Sequence, residues 1–343
     1  MAPAPIAIPP AITAEMTIES SRSVPTRSTS TFVDARSFRS HAARVTIKHW
    51  QLRDLITRTA VPNEIMYVCD RSIKALDTAA GGTQTAAEFV FEPRCLAVGG
   101  DVVAAGGVQR GQFAFGSLRG HYEAGDADGR DMSAGIHTFE LGGFINNSIS
   151  LFRPGAASVH ALVCNNDHVL RLLDLGGDGD YSVVESHRLP VPLNHSSISP
   201  DGRTIVACGD SAEIFVLHPH EPAPGDRRWT HALTLPTSAD AGFSTAFSPS
   251  GVLFAVASQD GLASVFDTRY LAPAGPAGPT RPLTQVQSSC PGEGSSAFRC
   301  LKFSAGAEDL LLVAEQAGRV HVVDTRKLED RQVLTIPPHA ARD

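Results

Sequence analysis

Short apolar runs separated by tight turns recur along most of the chain. The clearest set lies between Gly242 and Arg269, in the segment GFSTAFSPSGVLFAVASQDGLASVFDTR. Its apolar residues alternate with polar ones or run together, as in strands that are buried between neighbouring sheets. Turn residues at 249–251 and 259–261 divide it into three strands. Because three short strands cannot bury both faces of their own sheet, this segment requires similar units on either side.

Similar units are present. Third strands of the same type end at Asp77, Asp174, Leu217, Asp267 and Asp324, and a weaker run from Cys95 to Leu118 fills the widest gap. The spacing averages about 49 residues, which is typical of four-stranded propeller blades. Fourth strands are predicted at 88–92, 138–141, 181–189, 231–235, 284–287 and 332–336. The pattern therefore predicts an all-β propeller of four-stranded blades, six of which are visible.

An aspartate repeats in the turn between second and third strands. Asp70, Asp167, Asp210 and Asp260 each stand seven residues before the end of a third strand, and Ala317 breaks the series. An Asp carboxylate accepts hydrogen bonds from nearby backbone groups and tolerates turn geometry. We therefore predict a structural role in the turn for these four residues.

Composition divides the chain into a propeller and two tails. Residues 1–40 are rich in Pro, Ala, Ser and Thr, so we expect a disordered N-terminal tail. The propeller is predicted over 41–338 and a short tail over 339–343. The Pro- and Gly-rich stretch at 272–296 is predicted to be a surface insertion within the propeller.

Charge and cysteine content narrow the class of protein. A net charge of -7 and a pI near 6.0 give no uniform basic field, so we expect no nucleic-acid partner. No apolar run approaches the roughly 18 residues of a membrane helix, so no membrane association is expected. The six cysteines lack metal-ligand spacing, which favours a reduced compartment, cytoplasmic and/or nuclear.

Motifs for catalysis, cofactors or metals are not evident. The chain has neither a G-x-S-x-G motif nor a glycine-rich phosphate loop followed by a helix. Two groups of possible metal ligands lack the required spacing: the acidic loop with Glu123, Asp126, Asp128 and Asp131, and the set His218, His220 and His231. We therefore predict no catalytic residue, no cofactor and no metal site.

The repeats ISPDGRTIVACGDSAEIFVL and FSPSGVLFAVASQDGLASVFD resemble those of the WD-repeat family. The chain departs from that pattern where Leu76, Leu173, Phe266 and Val323 replace the usual Trp, and the Gly-His pair before the first strand is missing. Two segments, KHWQLRDLI (48–56) and FRCLKFSAGAEDLLLVAEQAGRVHVVDTR (298–326), resemble a fungal group of divergent WD-repeat proteins with a short domain of unknown function at the last repeat. A more distant similarity is to propeller-type substrate receptors of a yeast ubiquitin ligase.

The resemblance implies a ring of seven blades, one more than the sequence shows. The ring could close with six blades, the N-terminal segment could contribute strands, or the chain could lack the last blade. We expect the last of these. An unclosed ring would expose a strand edge.

The resemblance also implies a partner-binding rim around the central channel, formed by the residue that starts each first strand and the residue before each turn Asp. The start positions are Asn146, Asn194, Phe243 and Arg299, and the pre-turn positions are Cys69, Asn166, Gly209 and Gln259. We predict partner binding by Asn146, Asn166, Asn194, Phe243, Gln259 and Arg299. Phe243 and Arg299 are favoured as hot spots, although Phe243 could equally be a core residue.

The expected function is that of a non-catalytic scaffold or adaptor that recruits protein or peptide partners through this rim. Two alternatives remain. One is a substrate receptor of a ubiquitin ligase, with ligase subunits as partners. The other is a metal-dependent propeller hydrolase, which would require His, Glu or Asp facing the channel.

Overall fold

The computed structural model describes residues 31–34, 41, 43–44, 46–47, 54–123, 135–155, 158–221, 228–272, 280–292, 294, 296–306 and 308–336. These residues form six antiparallel four-stranded sheets in which each strand pairs with the next along the chain. The first strands of successive blades contact one another from blade 2 to blade 6. The first strands are therefore the inner strands of a β-propeller and the fourth strands form its outer edges.

The strand bounds follow the blade order. Blade 1 holds β1 (Ile56–Arg58), β2 (Glu64–Cys69), β3 (Ser72–Asp77) and β4 (Thr83–Glu88); blade 2 holds β5 (Cys95–Gly99), β6 (Val102–Gly106), β7 (Gln112–Ser117) and β8 (Ile136–Glu140), with the short helix α1 (Arg119–Glu123) after β7. Blade 3 holds β9 (Asn146–Phe152), β10 (Val159–Asn165), β11 (Val169–Leu175) and β12 (Tyr181–Arg188); blade 4 holds β13 (Leu193–Ile198), β14 (Ile205–Gly209), β15 (Glu213–His220) and β16 (Arg228–Pro236). Blade 5 holds β17 (Gly242–Phe247), β18 (Leu253–Ser258), β19 (Leu262–Asp267) and β20 (Thr284–Gln287); blade 6 holds β21 (Phe298–Phe303), β22 (Leu310–Glu315), β23 (Arg319–Asp324) and β24 (Arg331–Thr335).

Packing between neighbouring blades explains the apolar runs of the sequence. Ala255 and Val265 of blade 5, for example, join one cluster with Leu311 and Val313 of blade 6, and all four are fully buried. Each middle strand faces a neighbouring blade on both sides, so consecutive residues are buried rather than alternate ones. Complete burial of a Val or Leu side chain contributes about 1.5–3 kcal/mol.

The seam between blades 6 and 1 differs from the other five junctions. Blade 1 has a second apolar cluster, separate from the one it shares with blade 2. It contains Tyr67, Cys69 and Leu76 with Ala43 and Ile65 packed against it, and it includes no residue of blade 6. Inner strand β1 is only three residues long, and its residue Ile56 is 61% exposed. The seam is therefore held by contacts other than a shared apolar core.

Polar contacts of the segment before β1 hold this seam. At the outer edge, the backbone N–H groups of Phe32 and Val33 both donate to Gln332 Oε1 of β24 at 2.9 Å, and Gln332 Nε2 donates to Val33 O at 3.0 Å. At the channel, Asp54 Oδ1 lies 3.0 Å from Lys302 Nζ of β21. We call the described parts of 31–54 the N-terminal strap, because they contact blade 6 at Gln332 and Lys302 and also contact blade 1, where Asp70 N donates to Thr46 Oγ1.

The fold class predicted from the sequence is confirmed, including the weak second blade. The described residues contain six blades, and the expected seventh is not among them. The predicted fourth strand of blade 1 at 88–92 was wrong, since β4 ends at Glu88. Phe89 and Phe91 belong instead to a connection that is buried against blade 2, with ring centroids 5.9 Å apart.

The predicted tail at 1–40 includes Phe32 and Val33, which bind blade 6; apart from 31–34, that stretch lies outside the described residues, as does 339–343. None of the helices in the described ranges has the length and apolar character to cross a bilayer.

Candidate functional site

The connections that enter the inner strands lie on the same face as the turns between second and third strands. In blades 5 and 6, the backbone N–H groups of Gln259 and Gln316 donate to Ala241 O and Ala297 O, both at 2.9 Å. Each bond joins a second-to-third-strand turn to the residue that precedes the inner strand of the same blade. We call this side of the propeller the rim face.

Inner strands of blades 3 to 6 begin with a β-bulge. In each case one residue is skipped in the pairing with the second strand, and the skipped residues are Asn147, Asn194, Phe243 and Arg299. A bulge locally bends the strand and redirects its side chain. The predicted equivalence therefore holds for three positions, while in blade 3 the equivalent residue is Asn147 rather than Asn146.

The two bulge asparagines make the same pair of hydrogen bonds. Asn147 Nδ2 donates to Asn166 Oδ1 at 2.5 Å and to Leu193 O of blade 4 at 2.7 Å. Asn194 Nδ2 donates to Asp210 Oδ1 at 2.9 Å and to Gly242 O of blade 5 at 3.0 Å. Each amide thus ties its own turn to the next blade.

Phe243 and Arg299 occupy the same bulge position in adjacent blades and contact each other. The Arg299 guanidinium carbon lies 4.4 Å from the centre of the Phe243 ring, a cation–π geometry. Arg299 also donates from Nε and Nη2 to Gln316 Oε1 at 3.1 and 2.5 Å. Phe243 is only 1% exposed, so it supports Arg299 from below instead of offering surface to a partner.

Two of the four turn aspartates make the predicted hydrogen bond within the turn. Asp167 Oδ1 accepts from Val169 N at 3.0 Å and Asp260 Oδ1 from Leu262 N at 3.2 Å, the turn role that the sequence predicts. In blade 4 the equivalent bond runs from Glu213 N to Ser211 Oγ at 3.1 Å, so Asp210 lies one position earlier than expected. Asp70 instead occupies a two-residue turn with φ of 53°.

Exposure separates the six predicted partner-binding residues. Asn146, Asn194 and Phe243 are buried, whereas Asn166, Gln259 and Arg299 are half-buried. Asn146 donates from Nδ2 to Gly111 O and Gln112 O, both at 2.9 Å, which links blades 2 and 3. Partner binding by this set stays a prediction, and only the half-buried residues offer side chains to a partner on the rim face.

Sequence reasoning missed three exposed apolar residues on the same face. Val90, Val108 and Phe144 are 71%, 42% and 60% exposed, and they lie in consecutive rim-face connections around blade 2. We call them the apolar row. The signal was available for Val108 and Phe144, which are large apolar residues in connections between strands, but not for Val90, which lay within the strand predicted at 88–92.

Hydrogen bonds fix the backbone beneath two members of the apolar row. Asn146 N donates to Gly107 O at 3.1 Å, joining the connections that carry Phe144 and Val108. Asn165 Nδ2 donates to Phe144 O at 2.9 Å. These connections are therefore held in place before any partner binds.

Asp54 lies at the central channel and contacts three other blades, which the sequence did not predict. Its Oδ2 lies 3.0 Å from His195 Nε2 of blade 4 and its Oδ1 lies 3.0 Å from Lys302 Nζ of blade 6, while its backbone O accepts from Leu96 N of blade 2 at 2.8 Å. Burial alone would raise the pKa of Asp54, but the Lys302 charge and the His195 hydrogen bond outweigh it and hold the pKa below its usual range. The carboxylate is thus ionised and paired across the ring.

Metal-binding clusters of three or more His, Cys, Asp or Glu do not occur within the described ranges. His231 Nε2 lies 3.0 Å from Leu233 O and from Thr234 Oγ1, within its own strand. Of the predicted acidic loop, Asp126, Asp128 and Asp131 lie outside the described residues.

Comparisons with known proteins place the chain among fungal proteins. Residues 296–335 match the model of an uncharacterised protein domain, DUF2415. An uncharacterized protein of Saccharomyces cerevisiae is 26% identical over 86% of this chain, which spans about half (54%) of that relative's length. An uncharacterized protein of Schizosaccharomyces pombe is 31% identical, with 86% of this chain and 78% of the relative covered. The chain therefore belongs to the same protein family as this fission-yeast protein.

Proposed function

We propose that this protein is a non-catalytic interaction scaffold or adaptor that recruits protein or peptide partners through the rim face of its propeller. The observation that supports this most directly is the apolar row, three large apolar side chains that are 42–71% exposed on one face. Apolar groups that are exposed together on one face favour protein interaction, and a backbone hydrogen bond joins the connections that carry Val108 and Phe144. β-Propellers commonly serve such interactions.

The rim face also supplies the other components of an interface. Arg299 presents a guanidinium that Phe243 and Gln316 already orient, so little side-chain entropy is lost when it binds. Half-buried Asn166 and Gln259 offer amide groups to a peptide backbone. Aromatic and Arg anchors surrounded by polar groups form the usual hot-spot arrangement.

The test compares partners captured by the native protein and by rim-face variants. In the double variant Val108→Ser, Phe144→Ser two of the three members of the apolar row become polar, while Val90 and the buried core are unchanged. Leu283→Ser is a matched control, since Leu283 is 52% exposed on a connection at the opposite face. Partners are quantified by affinity purification from fungal cells, and binding of each purified partner is then measured directly.

The proposal predicts that affinity for at least one purified partner falls by about thirtyfold or more in the double variant, as for the loss of a hot spot. Leu283→Ser keeps native affinity. Equal binding by all three proteins would exclude Val108 and Phe144 as a recruiting surface and remove the main support for the proposal. Ligase subunits among the partners would assign the adaptor to a ubiquitin ligase.

A further inference from the structure

A groove of about 580 Å³ lies between blades 3 and 4 on the face opposite the rim. Its lining comes from the end of β9, the middle of β11 and β12, the start of β16 and the turn between β13 and β14. A volume of 300–1,000 Å³ is typical of pockets that bind small groups or a few residues of a peptide. None of the rim-face residues takes part in its lining.

The floor of the groove is apolar and rigid. Leu172 and Trp229 are each 6% exposed, and Phe152 packs edge-on against the His160 ring with centroids 5.5 Å apart. Glu185 of β12 holds the start of β16 in place, because its two carboxylate oxygens accept from Trp229 N at 3.0 and 2.9 Å. The aromatic surfaces are therefore fixed before a ligand enters.

Negative charge dominates the walls. Glu185 and Asp201 both line the groove. Asp201 lies at the exposed turn, and hydrogen bonds from Ser199 Oγ at 2.6 Å and Arg203 N at 3.0 Å both reach its Oδ1, which leaves Oδ2 able to accept from a ligand. The Ser199 hydrogen bond lowers the pKa of Asp201, so its carboxylate is ionised at neutral pH.

The positive groups near the groove do not cancel this charge. Arg153 lines the groove, but its Nη2 lies 3.2 Å from Asp101 Oδ1 of blade 2. His187 Nε2 lies 3.0 Å from Glu185 Oε1. Burial lowers the pKa of both His160 and His187, although Asp174 and Glu185 oppose this effect, so both imidazoles are neutral at pH 7. A cationic ligand therefore meets two carboxylates over an apolar floor.

We propose that this groove binds an arginine side chain of a partner peptide, with the guanidinium stacked on the aromatic floor and donating to Asp201 and Glu185. Arginine fits better than lysine because its planar, weakly hydrated guanidinium stacks on aromatic rings and donates to two carboxylates at once. This proposal rests on the proposed function, since it presumes a protein or peptide partner, and it adds a second contact surface on the opposite face.

The test uses purified protein and fluorescein-labelled, N-acetylated Gly/Ser peptides whose central residue is arginine, lysine, citrulline or proline. Citrulline keeps the shape of arginine without its charge, and acetylation removes the competing N-terminal amine. Binding is followed by fluorescence anisotropy into the millimolar range. Asp201→Asn and Glu185→Gln remove the carboxylate charges, and Asp178→Asn is the matched control, an exposed Asp of blade 3 outside the groove.

We expect the arginine peptide to bind at least tenfold more tightly than the citrulline peptide, and Asp201→Asn and Glu185→Gln each to weaken it several-fold, with Asp178→Asn unchanged. Equal binding of citrulline, preferred binding of proline, no arginine-dependent binding in the millimolar range, or an equal loss in Asp178→Asn would each overturn the proposal. This assay does not use the rim-face variants. The rim-face proposal and the groove proposal can therefore fail independently of each other.

Discussion

At the scale of single residues, Asp54 joins blades 2, 4 and 6 through its backbone and its side chain. Its carboxylate is paired with His195 and Lys302, and its residue adopts a left-handed backbone with φ of 46°. The Asp54 and His195 side chains are 9% and 4% exposed, whereas the Lys302 side chain is 59% exposed. The main cost of removing Asp54 is therefore that buried His195 loses a hydrogen bond, and a buried polar group left unsatisfied costs about 1–3 kcal/mol. We expect Asp54→Ala to reduce the free energy of unfolding by about that amount in urea denaturation. The exposed control Asp178→Ala should stay within about 0.5 kcal/mol of native, and a similarly small loss in Asp54→Ala would contradict the proposed bridge.

Glu315 gives the molecule a pH dependence of known sign. Burial raises its pKa, but hydrogen bonds from His321, Ser288 and Ser289 lower it more, and the result is a pKa of about 2 against an ordinary value of 4.5. A lowered folded-state pKa stabilises the protein fully above pH 4.5, and this contribution is lost as the pH falls toward 2.

The consequence can be measured by thermal unfolding between pH 6 and 3. The midpoint should fall more steeply with decreasing pH in the native protein than in Glu315→Gln, which has no carboxylate to protonate. The two proteins differ only at position 315, so the difference between the two curves measures Glu315 together with its hydrogen-bond partner His321. Parallel curves would show that its pKa is not shifted by folding.

At the scale of elements, the turn between second and third strands shows how one side chain serves several blades. Asp167, Ser211 and Asp260 each accept from the backbone N–H two residues later, and Ala317 of blade 6 has no oxygen to do so. We expect Ala317→Asp to add this bond, with Arg319 N as donor, and to stabilise the protein by about 0.5–1.5 kcal/mol. Ala317→Glu adds the same charge on a longer side chain that does not reach the same bond. Equal effects of both substitutions in urea denaturation would mean that charge, not the turn bond, is responsible.

The sequence predicted the blades well because each blade must bury two faces, and this requirement appears directly as apolar runs between turns. It failed where tertiary contacts decide the outcome. Phe89 and Phe91 resemble a strand in sequence but lie in a connection that packs between two blades. The start position predicted for blade 3 was Asn146, one residue before the equivalent Asn147. A bulge at Asn147 shifts the strand register, and a bulge has no composition that marks it in the sequence.

The same limit applies to the candidate site. Phe243 is buried and contacts Arg299 from the neighbouring blade, a contact that no local pattern reveals. Asp54 could not be identified because its partners lie 141 and 248 positions away along the chain, in blades 4 and 6. Phe144 was different, since an exposed aromatic residue in a strand connection is visible in sequence once the blades are assigned.

At the scale of the whole molecule, stability depends on how the ring is held at the seam between blades 6 and 1. The N-terminal strap contacts blade 6 at the channel through Lys302 and at the outer edge through Gln332. No described apolar cluster spans this seam, unlike the other five junctions. If the strap holds the seam as one unit, loss of either contact loosens the same structure, and loss of the second then costs less.

A double-mutant cycle tests this idea. We expect Lys302→Met and Gln332→Leu each to destabilise the protein, and the double variant to lose less than the sum of the two, with a coupling of at least about 0.5 kcal/mol. The two residues lie in the inner and outer strands of blade 6, where unconnected sites would add within about 0.3–0.5 kcal/mol. Asn194→Ala, at the junction of blades 4 and 5, combined with Gln332→Leu provides the additive reference. Additivity in both pairs would show that the inner and outer contacts act separately, and that the strap does not close the ring as a single element.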